Sequence, residues 1–169
     1  MKTTILSMVC VLLLACPQSF AAAKDINSKN ASIVFMVDHD QAGYTIGSFD
    51  EFSGSVEFND EQTRIVSAKV TVATASVNTQ SPIRDEGLRS PLFFDAEKFP
   101  QAVYENGALT LKGVTKPVAL TVEQDKARGV VVIRGSFDRN DFGITYNKLL
   151  AKKNKSIGDK VELVVEIPS

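Results

Sequence analysis

Ser32-Ile33-Val34-Phe35-Met36-Val37-Asp38-His39 is the stretch on which the fold class turns. Ile33, Phe35 and Val37 fall on one parity and Val34 and Met36 on the other, so a strand through these residues is apolar on both faces before it meets Asp38-His39. A strand with water on one side carries polar residues there. This one therefore predicts either a second layer outside it or an interior with more apolar surface than a simple core needs.

Working outward, residues 44–58 place Phe52, Val56 and Phe58 on one parity, with Gly47 and Gly54 where a strongly coiled strand could bend, so one long curved strand is expected. Asn59-Asp60-Glu61 reads as a turn. Residues 65–77 then return as the second arm of a hairpin, with Ala68, Val70 and Val72 facing one way and Lys69 and Thr71 the other. Residues 78–100 break the period, and Pro82, Gly87, Pro91 and Pro100 bound two short amphipathic stretches, 83–90 and 92–99, read as helices or helical turns. Strands resume at 102–105 and 108–112. Asn106-Gly107 joins them, the pair that a two-residue type I′ turn demands because both positions need positive φ. Further strands are expected at 118–123, 130–137 and 161–167, and 151–155 reads as a charged loop. About eight strands with a short helical insertion predict an all-β antiparallel barrel or sandwich, and closure into a barrel would leave a bore wide enough for a small ligand.

The 169 residues, 44% hydrophobic and 23% charged, suit one ordinary globular domain. Nineteen Lys and Arg stand against twenty Asp and Glu, a net charge of −1, so no basic field recruits nucleic acid. One His and two Cys leave little for metal sites or thiol and triad mechanisms. No Gly-x-Ser-x-Gly elbow occurs, and Gly113 reads as part of a hairpin rather than a phosphate loop. Asp38 and Asp40 flanking His39 are too weak a signal for acid–base catalysis, since alternation puts Asp38 and His39 on opposite sides. The sequence predicts no enzyme, cofactor or metal.

Met1-Lys2 followed by the apolar run 5–15, too short to span a bilayer, and by Ser19, Ala21, Ala22 and Ala23 reads as a secretory signal peptide over 1–23. Cleavage after Ala21 or Ala23 satisfies the small-x-small rule, with Ala23 preferred. Leu13-Leu14-Ala15-Cys16 offers a lipoprotein anchored at Cys16 as a minor alternative. Cys10 and Cys16 both lie in the removed segment, so the domain over 24–169 would lack cysteine, as suits a bacterial periplasmic protein held by its core.

Five ordered motifs carry a family resemblance. Phe35-Met36-Val37-Asp38-His39, Gly47-Ser48-Phe49-Asp50-Glu51-Phe52-Ser53-Gly54 and Arg84-Asp85-Glu86-Gly87-Leu88-Arg89-Ser90-Pro91-Leu92-Phe93-Phe94-Asp95 come first. Leu109-Thr110-Leu111-Lys112-Gly113-Val114-Thr115-Lys116-Pro117-Val118 and Arg139-Asn140-Asp141-Phe142-Gly143-Ile144 follow. Together they resemble the YceI-like lipid-binding proteins. The resemblance implies a lipocalin-like, eight-stranded antiparallel β-barrel secreted to the periplasm. It also implies a long apolar cavity that holds a polyisoprenoid chain, such as an isoprenoid quinone or a prenyl phosphate. Gly87 stands where family members commonly carry a His, and the tight turn within 104–109 replaces a longer excursion, which predicts a shallower or more open pocket and a shorter ligand.

The expected ligand-binding residues are Phe35, Val37, His39, Phe49, Phe52, Arg84, Leu88, Phe93, Phe94, Leu111 and Phe142. His39 either hydrogen-bonds a quinone carbonyl or a phosphate, or is a strand-end residue satisfied locally. Arg84, Asp85 and Arg89 either clamp a polar head group or form an ion-pair network that holds the insertion to the barrel. Arg139 and Asp141 are expected to pair and fix the turn before Phe142-Gly143. Ten Phe and no Trp supply apolar area for an alkyl or isoprenoid chain, or for an ordinary core. Lys148, Lys152, Lys153 and Lys155 read as a solvated loop or a lipid-facing patch. The expected partner is an isoprenoid lipid or other amphipathic small molecule. Transient contact with a membrane or membrane redox protein, and a homodimer, are further expectations; a ligand-free structural or stress-protective module is the alternative.

Overall fold

The computed structural model describes residues 23–39, 43–146 and 157–169. The expected signal segment, apart from Ala23, and the charged loop at 151–155 with its lysines lie outside the described residues.

Twelve strands are described: β1 (Lys24–Asn27), β2 (Ser32–His39), β3 (Gly43–Phe49), β4 (Phe52–Phe58), β5 (Ile65–Ala73), β6 (Val77–Asn78), β7 (Gln101–Glu105), β8 (Ala108–Leu111), β9 (Val114–Pro117), β10 (Leu120–Asp125), β11 (Val130–Asp138) and β12 (Lys160–Pro168). They form two six-stranded antiparallel sheets, ordered β1-β4-β5-β7-β8-β9 and β10-β11-β12-β2-β3-β6. No ladder joins β9 to β10 among the described residues. The expected set of eight strands is therefore corrected to twelve in two sheets. Two of the expected runs are each divided, and β1 and β9 are additional.

The division falls at one corner. Residues 44–58 do not run on as a single curved strand. β3 pairs with β2 and β6 in one sheet, whereas β4 pairs with β1 and β5 in the other. The chain changes sheet at Asp50-Glu51, and the partner strand changes with it through a 3₁₀ turn at Thr74–Ser76. Asp50 donates its backbone N–H to the Ser76 carbonyl at 3.0 Å and Ala73 donates to the Glu51 carbonyl at 3.0 Å, so the corner stays hydrogen-bonded while both strands bend. Gly47 is not the bend. A Cβ there would lie 2.3 Å from the Phe35 ring opposite it, so its missing side chain gives Phe35 room.

The hairpins follow local turn chemistry. Asn106 and Gly107 take φ of 45° and 97°, and Lys112 and Gly113 take 51° and 76°, so β7-β8 and β8-β9 are both closed by two residues of positive φ. The insertion forms one helix, α1 (Pro82–Arg89), followed by turns through 91–97. Pro82 at its first turn needs no N–H partner, and Asp85 and Arg89 complement the helix dipole.

Buried apolar residues among those described form three clusters, the largest of them at the Ile33 end of β2. Ile26, Val56, Phe58, Ala68, Val131, Ile133 and Ile167 are buried against one another. Ile33 and Val70 complete that cluster from above. Val34 and Met36 are only half-buried on the outer face of β2, beside exposed Tyr44 and Ile46. Of the two alternatives posed by the two-sided strand, the structure takes the second: a surplus of apolar surface inside.

Candidate functional site

That surplus surrounds a cavity of about 390 Å³. β2 runs along its length. Ile33 stands at the packed end, and Phe35, Val37 and His39 follow on the same parity, each lining the space. From β3, Thr45 and Phe49 line it, and α1 adds Arg84, Gly87 and Leu88. Phe93 and Phe94 enter from the turns after the helix, and Leu111 from β8.

The aromatic lining is a connected series. The Phe35 and Phe49 ring centroids lie 5.6 Å apart and those of Phe49 and Phe94 5.8 Å apart, both tilted, within the range in which aromatic pairs attract. Phe93 stands 4.9 Å from the Tyr146 ring.

Nine of the eleven expected residues thus share this cavity: Phe35, Val37, His39, Phe49, Arg84, Leu88, Phe93, Phe94 and Leu111. Phe52 and Phe142 do not line it. Phe52 packs into the core with Ile26 and Val56, because the sheet change at Asp50-Glu51 puts it on β4, in the other sheet from Phe49. Phe142 is buried with Ala102, Val118 and Ile144 and meets Phe137 edge-on at 5.1 Å. Lining residues that the sequence reading missed include Ile33, Thr45, Val70, Tyr104, Leu120 and Phe137. Ile33 shares the parity of Phe35 and Val37, and Thr45 that of Phe49, so alternation carried the signal for both.

Polar side chains gather at the far end of β2 from Ile33. The His39 Nε2 and Thr45 Oγ1 lie 2.7 Å apart, and Arg84 Nη1 donates to the same Thr45 Oγ1 at 3.0 Å. Among the described residues Arg84 makes no ion pair, and its guanidinium bonds Thr45 through Nη1. An apolar chamber with a hydroxyl, an imidazole and a guanidinium at one end can hold an amphiphile tail-inward and hydrogen-bond its head.

The neighbouring charges do something else. Asp85 is buried and accepts from the Thr79 N–H at 2.8 Å and the Thr79 hydroxyl at 2.6 Å. Arg89 donates to the Ala75 and Val77 carbonyls at 2.7 and 3.1 Å. The expected ion-pair network is therefore replaced by bonds to backbone and Thr79, which dock α1 on the corner. Arg139 pairs with Asp159 at 2.9 Å rather than with Asp141. It also donates to the carbonyls of Ile144 (2.6 Å), Tyr146 (3.1 Å), Ile157 (3.3 Å) and Gly158 (2.8 Å). At the packed end, burial pushes the Tyr104 phenol above its ordinary range, against a weaker opposing effect of the Gly107 backbone, and its hydroxyl donates to the Val118 carbonyl at 3.4 Å.

The model of the YceI-like domain matches residues 25–168. The chain belongs to the YceI-like family. Among curated YceI-like relatives, a UPF0312 protein of Pectobacterium atrosepticum is 35% identical over 136 residues, 71% of each chain. One of Shewanella baltica is 34% identical over 137 residues, 71% of this chain and 72% of its own. Among solved structures, Burkholderia cenocepacia BcnA superposes with a TM-score of 0.63 at 22% identity, covering 82% of this chain and 96% of that one. A polyisoprenoid binding domain from Saccharophagus degradans gives 0.58 at 16%, covering 88% and 99%. At those identities the likeness of the two solved structures is one of YceI-like fold.

Proposed function

We propose that this protein is a periplasmic carrier that holds an amphipathic isoprenoid lipid, an isoprenoid quinone or a prenyl phosphate, with its tail in the cavity and its head at His39, Thr45 and Arg84. The observation that carries the reading is the pairing of an almost wholly apolar chamber with one polar cluster at its end. Removal of tail surface from water drives uptake, at about 25 cal/mol per Å² of apolar area. Family membership and the Saccharophagus neighbour, described as a polyisoprenoid binding domain, support a lipid ligand. The signal-like segment at 1–23 supports secretion. Such a carrier needs the ring completed between β9 and β10, which no ladder joins among the described residues.

The test is mass spectrometry of the organic extract from protein purified from a bacterial periplasm without detergent. A stoichiometric isoprenoid is expected in the wild type and is lost in Leu88→Asp, which places a charge in the lining. An empty protein that takes up neither added quinones nor prenyl phosphates sinks the carrier reading and favours the structural module.

A further inference from the structure

The cavity does not run the length of the molecule. Ile33 and Val70 line it and belong to the core cluster beneath, and Phe49, Val72, Tyr104 and Leu120 line it and pack against that cluster. Ile33 and Val70 are both the floor of the chamber and the top layer of the packed cluster, and Tyr104 and Leu120 divide the chamber from an outer groove. A tail entering from the polar end therefore meets packed side chains and stops.

Along β2 the cavity spans Ile33 to His39, about 20 Å at ~3.4 Å per residue. An extended chain built on C–C bonds of ~1.5 Å advances about 1.25 Å per carbon, which gives a run of about sixteen main-chain carbons.

We infer that the packed end is a chain-length stop, set by Ile33, Val70, Tyr104 and Leu120, and that the preferred ligand is a single-chain amphiphile whose tail runs about sixteen carbons along its main chain, the reach of four isoprenoid units. The inference rests on the carrier reading and narrows it, since a much longer polyprenyl tail cannot be enclosed.

A ladder of monoalkyl phosphates, from about eight to about twenty carbons, titrated into the mature wild-type protein by calorimetry, reads the stop directly. Affinity should climb about fourfold per added methylene and level off at about sixteen carbons. Leu120→Ala removes three carbons from the stop and should move the break up by about as many; Val70→Ala, removing two, gives a second reading with a smaller packing loss. Affinity that climbs unbroken to the longest chain overturns the stop but leaves the carrier. The tail would then pass Tyr104 and Leu120 into the outer groove that they share with Ser67 and Gly107. A break that neither substitution moves overturns the assignment of the floor. Failure of every chain to bind overturns the carrier reading itself, and the stop with it.

Discussion

Arg139 is buried, with 5% of its surface exposed, and its guanidinium serves four carbonyls and one carboxylate. Two of those carbonyls belong to Ile144 and Tyr146 and two to Ile157 and Gly158, so one side chain ties these two stretches of chain together. A lysine keeps the charge but offers a compact ammonium in place of the planar fork, and leaves buried carbonyls unserved. Arg139→Lys should therefore cost about 3 kcal/mol, read as a lowered midpoint in urea with unchanged slope. The sequence suggested a structural arginine here but named the wrong carboxylate. Asp141 is two residues away, whereas Asp159 reaches the same site only through the pairing of β11 with β12. Contacts of that kind are made by topology and leave no local trace. Thr45 illustrates the same point, since its hydroxyl gains meaning only when His39 and Arg84 arrive from other elements.

Turns are where the chain speaks most directly. Asn106-Gly107 was legible because a two-residue reversal needs positive φ twice, and few residue types supply it. A Cβ on Gly107 would touch nothing within 4 Å, so Gly107→Ala isolates the backbone term at φ 97°. A loss of about 1–2 kcal/mol is expected, measurable by thermal melting, with the cavity and ligand uptake unchanged. The corner at Asp50-Glu51 was not legible, because nothing in the local sequence demands it. It exists because two paired strands bend together, held by Ser76 and Ala73 from a segment more than twenty residues away. The sequence reading ran one strand through that corner and counted Phe52 among the ligand-binding residues, whereas it lies on β4 in the core. Parity was visible throughout the strands; the direction inward was not.

The whole molecule divides its apolar residues between two tasks. Phe58, 1% exposed, sits in the packed end, and truncation there loses both transfer energy and a full shell of contacts. Phe94 faces a space that already holds no protein atoms on one side, so its truncation forfeits far fewer contacts. Phe58→Ala should destabilise by about 3–5 kcal/mol. Phe94→Ala should cost well under half of that in the same denaturation experiment, while weakening uptake of the ligand more than Phe58→Ala does in any fraction that remains folded. The tight turn expected after β7 is present.

The corner joining β3 to β4 and β5 to β6 has a bearing on how such a chamber could exchange its contents. Because the bend is hydrogen-bonded on both strands, and α1 is fastened to it through Arg89, the helix bearing Arg84 and Leu88 is moored to rigid wall rather than to a loop tip. A guest held as proposed would then pass a helix anchored to the corner. Its residence time would be governed by how fast the tail slides free of Leu88 and how firmly the head is held at Arg84, with no unfolding of the walls on the path.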